Sequence, residues 1–186
     1  MSTKIEPLVT IDELDAMPED GNRYELVEGE IIVSRAPGLH HQEVLDNVIF
    51  VFKTYLRQNP VGKFWSTPGT IFSEMNAVIP DIVFVSNARI GQIVSGQKIV
   101  GPPDLVIEIT SPGSDNEKRD RITKRQLYGK YGVLEYWVID SGKRYVEVYF
   151  LVGETLQLMA AYSGNDEITS PLLPGFTCSV NDIFNS

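Results

Sequence analysis

The stretch from Gly101 to Asp140, GPPDLVIEITSPGSDNEKRDRITKRQLYGKYGVLEYWVID, constrains the fold more than any other part of the chain. It opens with an apolar run in which Val106 and Ile107 precede Glu108 and Ile109 follows it. Such a run is the pattern of a strand buried on both faces. A carboxylate inside it is costly unless a cation, a hydrogen-bond donor or a metal compensates it. A Ser-Pro turn follows, and then a segment rich in Lys and Arg. Ser114 with Glu117 three residues on has the capping-box spacing and predicts a helix start. The helix is expected to run to about Tyr131, where Gly132 supplies the stop. Lys124 and Tyr128 are four residues apart and so share a helix face. A second apolar run, Tyr136-Trp137-Val138-Ile139, then reads as core strand.

The rest of the chain reads as alternating short elements. Thr10 with Glu13 is a second capping box and predicts a short helix from Ile11 to Met17. Tyr24–Val27 and Ile31–Val33 form a hairpin around Glu28-Gly29-Glu30. From Leu39 or His40 to Gln58, Val44, Leu45, Val48, Val51, Phe52 and Tyr55 recur at helical spacing, and Asn59-Pro60 ends the run. Lys63–Trp65 and Thr70–Phe72 are short strands around a Pro-Gly turn. Ala77 to Val85 carries Pro80-Asp81 ahead of a buried-strand composition. Ser86 to Ile99 is a polar connection with a short helix near Ala88 to Ile93. Arg144–Leu151 and Thr155–Ala160 form a hairpin turning at Gly153-Glu154, and Phe176 to Ile183 closes the chain with a short helix from Val180. This order predicts an α/β fold with a central mixed sheet flanked by helices, rather than a doubly wound parallel one.

At 186 residues, with no linker or repeat, a single domain over residues 1–186 is expected. The N-terminus shows no secretory pattern and no apolar run is long enough to span a bilayer, so a cytoplasmic protein with no membrane partner is expected. One cysteine, Cys178, excludes an internal disulfide and a Cys-rich zinc site. The net charge of -9 opposes sequence-independent binding to a phosphate backbone. Against that, Lys118, Arg119, Arg121, Lys124, Arg125 and Lys130 form a dense basic cluster. It is either a functional stripe or a solvated face paired with Asp115, Glu117 and Asp120.

Two buried strands each carry one acid, Asp81 at the head of one and Glu108 within the other. Were the strands neighbours, the carboxylates would meet at one sheet edge. Two oxygen ligands with open positions for water and phosphate suit Mg²⁺. A nearby lysine would orient or deprotonate the attacking water and offset developing charge, and Lys124 is placed to reach back. The bland alternatives are a turn role for Asp81, a structural ion pair of Glu108 with Arg121 or Lys124, and a surface position for Lys124. Cys178 reads as a small buried residue.

Tyr24-Glu25-Leu26-Val27-Glu28-Gly29-Glu30, Ala36-Pro37, His41, Pro80-Asp81 and Pro103-Asp104-Leu105-Val106-Ile107-Glu108 occur in that order. Ser111-Pro112, Asp120, Lys124, Tyr128, Gly132-Val133, Glu135-Tyr136-Trp137 and Asp140 follow. This succession, from about Asp12 to Ile183, resembles the bacterial Uma-two family of endonucleases, once a domain of unknown function, in the PD-(D/E)XK nuclease superfamily. The resemblance implies a restriction-endonuclease-like core with an N-terminal hairpin and C-terminal strands added. It also implies a Mg²⁺ site, with Mn²⁺ as a possible substitute, and hydrolysis of DNA phosphodiester bonds. By the resemblance Asp81 and Glu108 are the metal ligands. Thr110 stands where the superfamily has its lysine, whose role passes to Lys124 on the following helix. Glu25 is a third acid for the site or a solvent-side strand residue. His41 contacts phosphate or water, or else caps the long helix or lies exposed at the surface. Tyr128 supports the site by packing or hydrogen bonding.

Three functions compete. A Mg²⁺-dependent DNA endonuclease, acting as a homodimer on both strands, is the first. The second is a catalytically weak or inactive nucleic-acid or partner-binding module on the same fold, and the third a hydrolase of small phosphoesters. The chain has no phosphate-binding glycine loop, no His-Glu-x-x-His and no Gly-x-Ser-x-Gly to favour other chemistries.

Overall fold

The computed structural model describes residues 8–110 and 119–185. Ser111-Pro112, Ser114, Glu117 and the side chains of Arg119 and Asp120 lie outside the described residues. In chain order the elements are α1 (Ile11–Asp15), β1 (Arg23–Val27), β2 (Glu30–Ser34), α2 (Leu39–Gln58), β3 (Gly62–Ser66), β4 (Thr70–Ser73) and β5 (Asn76–Val78). Then come β6 (Ile82–Ser86), α3 (Asn87–Ile93), β7 (Val94–Ser95), β8 (Lys98–Val100) and β9 (Leu105–Thr110). A π-helix over Arg119–Lys124 leads into α4 (Arg125–Tyr131). The chain finishes with β10 (Glu135–Asp140), β11 (Tyr145–Val152), β12 (Thr155–Ser163), β13 (Glu167–Thr169), β14 (Thr177–Ser179) and α5 (Val180–Phe184). No described helix is long and apolar enough to cross a membrane.

The expected mixed sheet is present, in the order β12-β11-β10-β9-β6-β3. β9 and β10 are parallel, with Glu108 across from Val138, and the other neighbours run antiparallel. The N-terminal hairpin is not a simple addition to this sheet. It belongs to a second six-stranded sheet, β2-β1-β5-β4-β8-β7. The chain crosses between sheets twice where it looks continuous in sequence. It leaves β3 at Thr67-Pro68-Gly69 to enter β4, and leaves β5 at Ile79-Pro80-Asp81 to enter β6. A proline has no N–H for a ladder, so Pro80 ends one sheet's strand and starts the other's. The short hairpin β7–β8 lies within what the sequence shows only as a polar connection. α1 ends at Asp15, short of the expected Met17.

Alternation divides the core. Ile107, Ile109, Trp137, Ile139, Val146 and Val148 point to one face of the mixed sheet and pack with Val44, Leu45, Val48 and Phe52 of α2 and with α5. Val83, Val85, Val106, Tyr136 and Val138 point to the other, where they meet Leu127 and Tyr128 of α4 and Val27, Val78 and Ile99 of the second sheet. Gly132, at φ 89, closes α4 as expected. Gly129 is needed for close approach: a Cβ there would lie 2.9 Å from the Glu154 carbonyl oxygen. Cys178 is buried, as its composition suggested.

Candidate metal and phosphate site

Glu108 lies on the second-sheet side of β9, in register with Val138, and is 3% exposed. Bulk water has little access to a carboxylate so placed, so protein groups must compensate it. Tyr128 donates its hydroxyl to Glu108 Oε1 at 2.6 Å, and Lys124 Nζ donates to the same oxygen at 2.9 Å. The two donors sit one helical turn apart, where the sequence spacing put them. Lys124 itself is 2% exposed. It ends the π-helical turn ahead of α4, a widened turn of the kind found at functional sites. Tyr128 is held protonated well above the usual phenol range, first by burial and then by the charge of Glu108. It therefore remains a donor at every physiological pH.

Glu25 joins this cluster from the other sheet. Lys124 Nζ lies 2.9 Å from Glu25 Oε1, and the backbone N–H of Ile79 donates to the same oxygen at 2.8 Å. Of its two sequence readings, the solvent-side one is overturned: Glu25 is 3% exposed. Its side chain turns to Lys124 and the Ile79 backbone rather than to water. One ammonium thus bridges carboxylates from two sheets.

Asp81 comes from the mixed sheet. Ile82 pairs with Ile107 and Val83 with Val106, so one step further along that register Asp81 stands across from Glu108. The two acid-bearing strands are indeed neighbours. Asp81 Oδ2 accepts the Ile109 N–H at 2.8 Å and lies 3.1 Å from His41 Nε2. His41 is 7% exposed, so it neither caps α2 nor faces solvent. With Nε2 donating to the carboxylate, its Nδ1 is buried and has no partner among the described residues. His40 turns elsewhere, its Nε2 2.9 Å from the Ser141 carbonyl oxygen.

The basic cluster is not one solvated stripe. Lys124 is internal, and Arg121 pairs with Asp140 at 2.9 Å and with Glu147 while lying over the Tyr145 ring. Lys130 makes an exposed pair with Glu28 at 2.8 Å. Its proposed partners Asp115 and Glu117, like Lys118 and the side chains of Arg119 and Asp120, lie outside the described residues. Thr110 is buried, its hydroxyl directed to the Ile139 carbonyl oxygen at 3.4 Å. Asp104, which the sequence named only within the Pro103–Glu108 motif and gave no role, accepts from Ser86 N–H and Arg89 and anchors α3 to β9. The Pro-Asp pair at its position was the available signal.

Among the described residues no three acids, imidazoles or thiols converge as a ready-made metal cage. The donor set that does exist, Asp81 and Glu108 on neighbouring strands, is the hard-oxygen pair that Mg²⁺ takes while keeping several waters. His41 Nδ1, beside Asp81, is a buried polar atom with no partner among the described residues. The residues fit such an ion.

A mixed α/β core with a lysine and carboxylates gathered at the β6–β9 pair defines a restriction-endonuclease-like protein. A family model named Uma2 and described as "Putative restriction endonuclease" matches residues 11–181, and the chain belongs to that family. It is also similar in structure to a protein of Anabaena variabilis ATCC 29413, described as "a putative nuclease belonging to DUF820". The TM-score is 0.76 at 23% identity, over 95% of this chain and 97% of that one, and at that identity the likeness speaks for the fold. No curated protein sequence matches the chain significantly.

Proposed function

We propose that the protein is a Mg²⁺-dependent endonuclease that hydrolyses DNA phosphodiester bonds. The observation that carries this reading is the buried Glu108, held by Lys124 and Tyr128 with Asp81 across from it on the neighbouring strand. Asp81 and Glu108 would hold the ion, with Mn²⁺ as a substitute, and when bound it supplies a water of lowered pKa and charge stabilisation at the phosphate. Lys124 orients the attacking water and offsets the negative charge that develops on the phosphate oxygens. Glu25 keeps that ammonium in place from the opposite side. Tyr128 fixes the Oε1 edge of Glu108, and His41 fixes Oδ2 of Asp81, so each acid offers a defined orientation. Two copies acting together, one on each strand, complete the reading.

Calorimetric titration of Mn²⁺ and Mg²⁺ into the wild type, Asp81→Asn and Glu108→Gln, followed by plasmid cleavage with the same set, tests it. Binding lost in both variants, with cutting lost in parallel, is the expected result. Binding without cutting would favour the binding-module reading, and the absence of binding would leave the cluster as a structural ion network. Duplex binding that weakens with salt separates a polymer substrate from a small phosphoester.

A further inference from the structure

We propose that Arg121 is a positioning residue for Lys124. Its guanidinium, held between Asp140 and Glu147, pins the π-helical turn to the mixed sheet and so keeps the Lys124 ammonium on Glu108 and Glu25. Lys124 is buried, yet it is the last residue of that turn, just ahead of α4. Helix ends fray unless something anchors them, and fraying here would let water reach the ammonium. α4 itself is anchored by Leu127 and Tyr128, both buried. The turn has no such apolar anchor among its described side chains, for Ile122 is 43% exposed and Thr123 is exposed too.

What the turn offers the sheet is charge. Arg121 Nη2 donates to Asp140 Oδ2 at 2.9 Å, and Nη1 donates to Glu147 Oε2. Asp140 ends β10 and Glu147 lies in β11, so the fork spans two neighbouring strands. Glu147 stands across from Val138, and Val138 across from Glu108, which puts both acids in one cross-strand row. The turn is thus tied to β9, β10 and β11 by two cations, Lys124 reaching the first and Arg121 the other two.

The fork is itself fixed. Asp140 Oδ1 accepts the Lys143 N–H at 2.8 Å, Tyr149 donates to Glu147 Oε2 at 2.8 Å, and the guanidinium lies 5.4 Å from the centre of the Tyr145 ring. A planar donor pair set between two acids and stacked on a ring is an arrangement that lysine does not reproduce. Arg121 is 17% exposed and Asp140 4%, so this is no solvated surface pair. Ion networks so placed add little net stability, which leaves geometry as the use of this one. In catalysis the clamp rests on the nuclease reading, because it acts through Lys124. There a displacement of about 1 Å can cost about a hundredfold in rate.

Hydrogen exchange of the Lys124 ammonium, followed by NMR in the full chain labelled with ¹⁵N-lysine, tests this, and Lys124→Met assigns the signal. Arg121→Gln should speed that exchange by about tenfold or more while the amides of β9 and β10 keep their protection. Glu147→Gln loosens the fork but leaves Arg121 its Asp140 partner, and should speed the exchange by about threefold. Lys130→Gln breaks only the exposed pair with Glu28 at the far end of α4 and should leave it unchanged. In plasmid cleavage with Mn²⁺, Arg121→Gln should lower kcat by about tenfold or more at an unaltered KM, and Arg121→Lys should not restore it. Unchanged exchange in both fork variants would overturn the proposal. So would a raised KM at unaltered kcat, which would make Arg121 a DNA contact. Should Arg121→Gln fail to fold, Glu147→Gln decides alone, and unchanged exchange there overturns the clamp. Absence of cleavage by the wild type would sink the nuclease reading only, since the Lys124 exchange is read without it.

Discussion

Replacing Lys124 by methionine probes the central cluster most directly. The ammonium lies 2.9 Å from Glu25 Oε1 and 2.9 Å from Glu108 Oε1, and both acids are buried. Methionine has nearly the same length and fills the space, so the change removes charge and donors with little loss of packing. Removing one partner of a buried ion pair costs about 3–5 kcal/mol, because it strands the opposite charge in the interior. The stranded acids keep the Ile79 N–H and the Tyr128 hydroxyl, which argues for the lower half of that range. Urea unfolding at neutral pH, with unchanged m, measures it. A deficit below about 1 kcal/mol would refute the reasoning. A Glu25→Gln/Lys124→Met double mutant should recover part of the loss, since one of the two stranded charges is gone.

Tyr128→Phe removes the 2.6 Å donor to Glu108 and should cost about 1.5–3 kcal/mol in urea unfolding, the range for a hydrogen bond to a charged group. Glu135 is buried on β10, accepting from Trp137 Nε1 and Ser170 Oγ, and burial raises its pKa above 4.5. Its folded value exceeds the unfolded one, so its contribution is full at low pH and is lost as pH rises through the raised value. Glu135→Gln, which keeps the shape, should flatten thermal stability across that window; an unchanged pH slope would count against it. Gly129→Ala would stabilise an open helix, yet here the new Cβ meets the Glu154 carbonyl oxygen at 2.9 Å and Leu156 N at 3.1 Å. A loss of about 1–3 kcal/mol is expected, read as a lowered Tm.

Local pattern carried most of the secondary structure. α2 runs over the residues its apolar spacing indicated, and the Glu28-Gly29 turn, with φ values of 53 and 80, is the tight hairpin that Gly in that place requires. The bounds of β6, α3, β9 and β10 likewise follow from apolar runs and their breakers. Glu108 announced itself because a charge inside a buried run must be answered. Lys124 and Tyr128 answered it because four residues on a helix is one turn, a distance any sequence displays. By itself, then, the sequence determined which residues lie on a common local face and which acid needed a partner.

The tertiary structure decided the partners drawn from afar. No local rule could show that β4 and β5 leave the mixed sheet, and hence that Glu25 on β1 reaches Lys124 across two sheets. Nor could one place His41, at the start of α2, behind Asp81. Periodicity repeats within one element, but which element lies beside it is settled by how whole faces bury together. The β6–β9 register, which brings Asp81 across from Glu108, exists only once both strands have chosen each other.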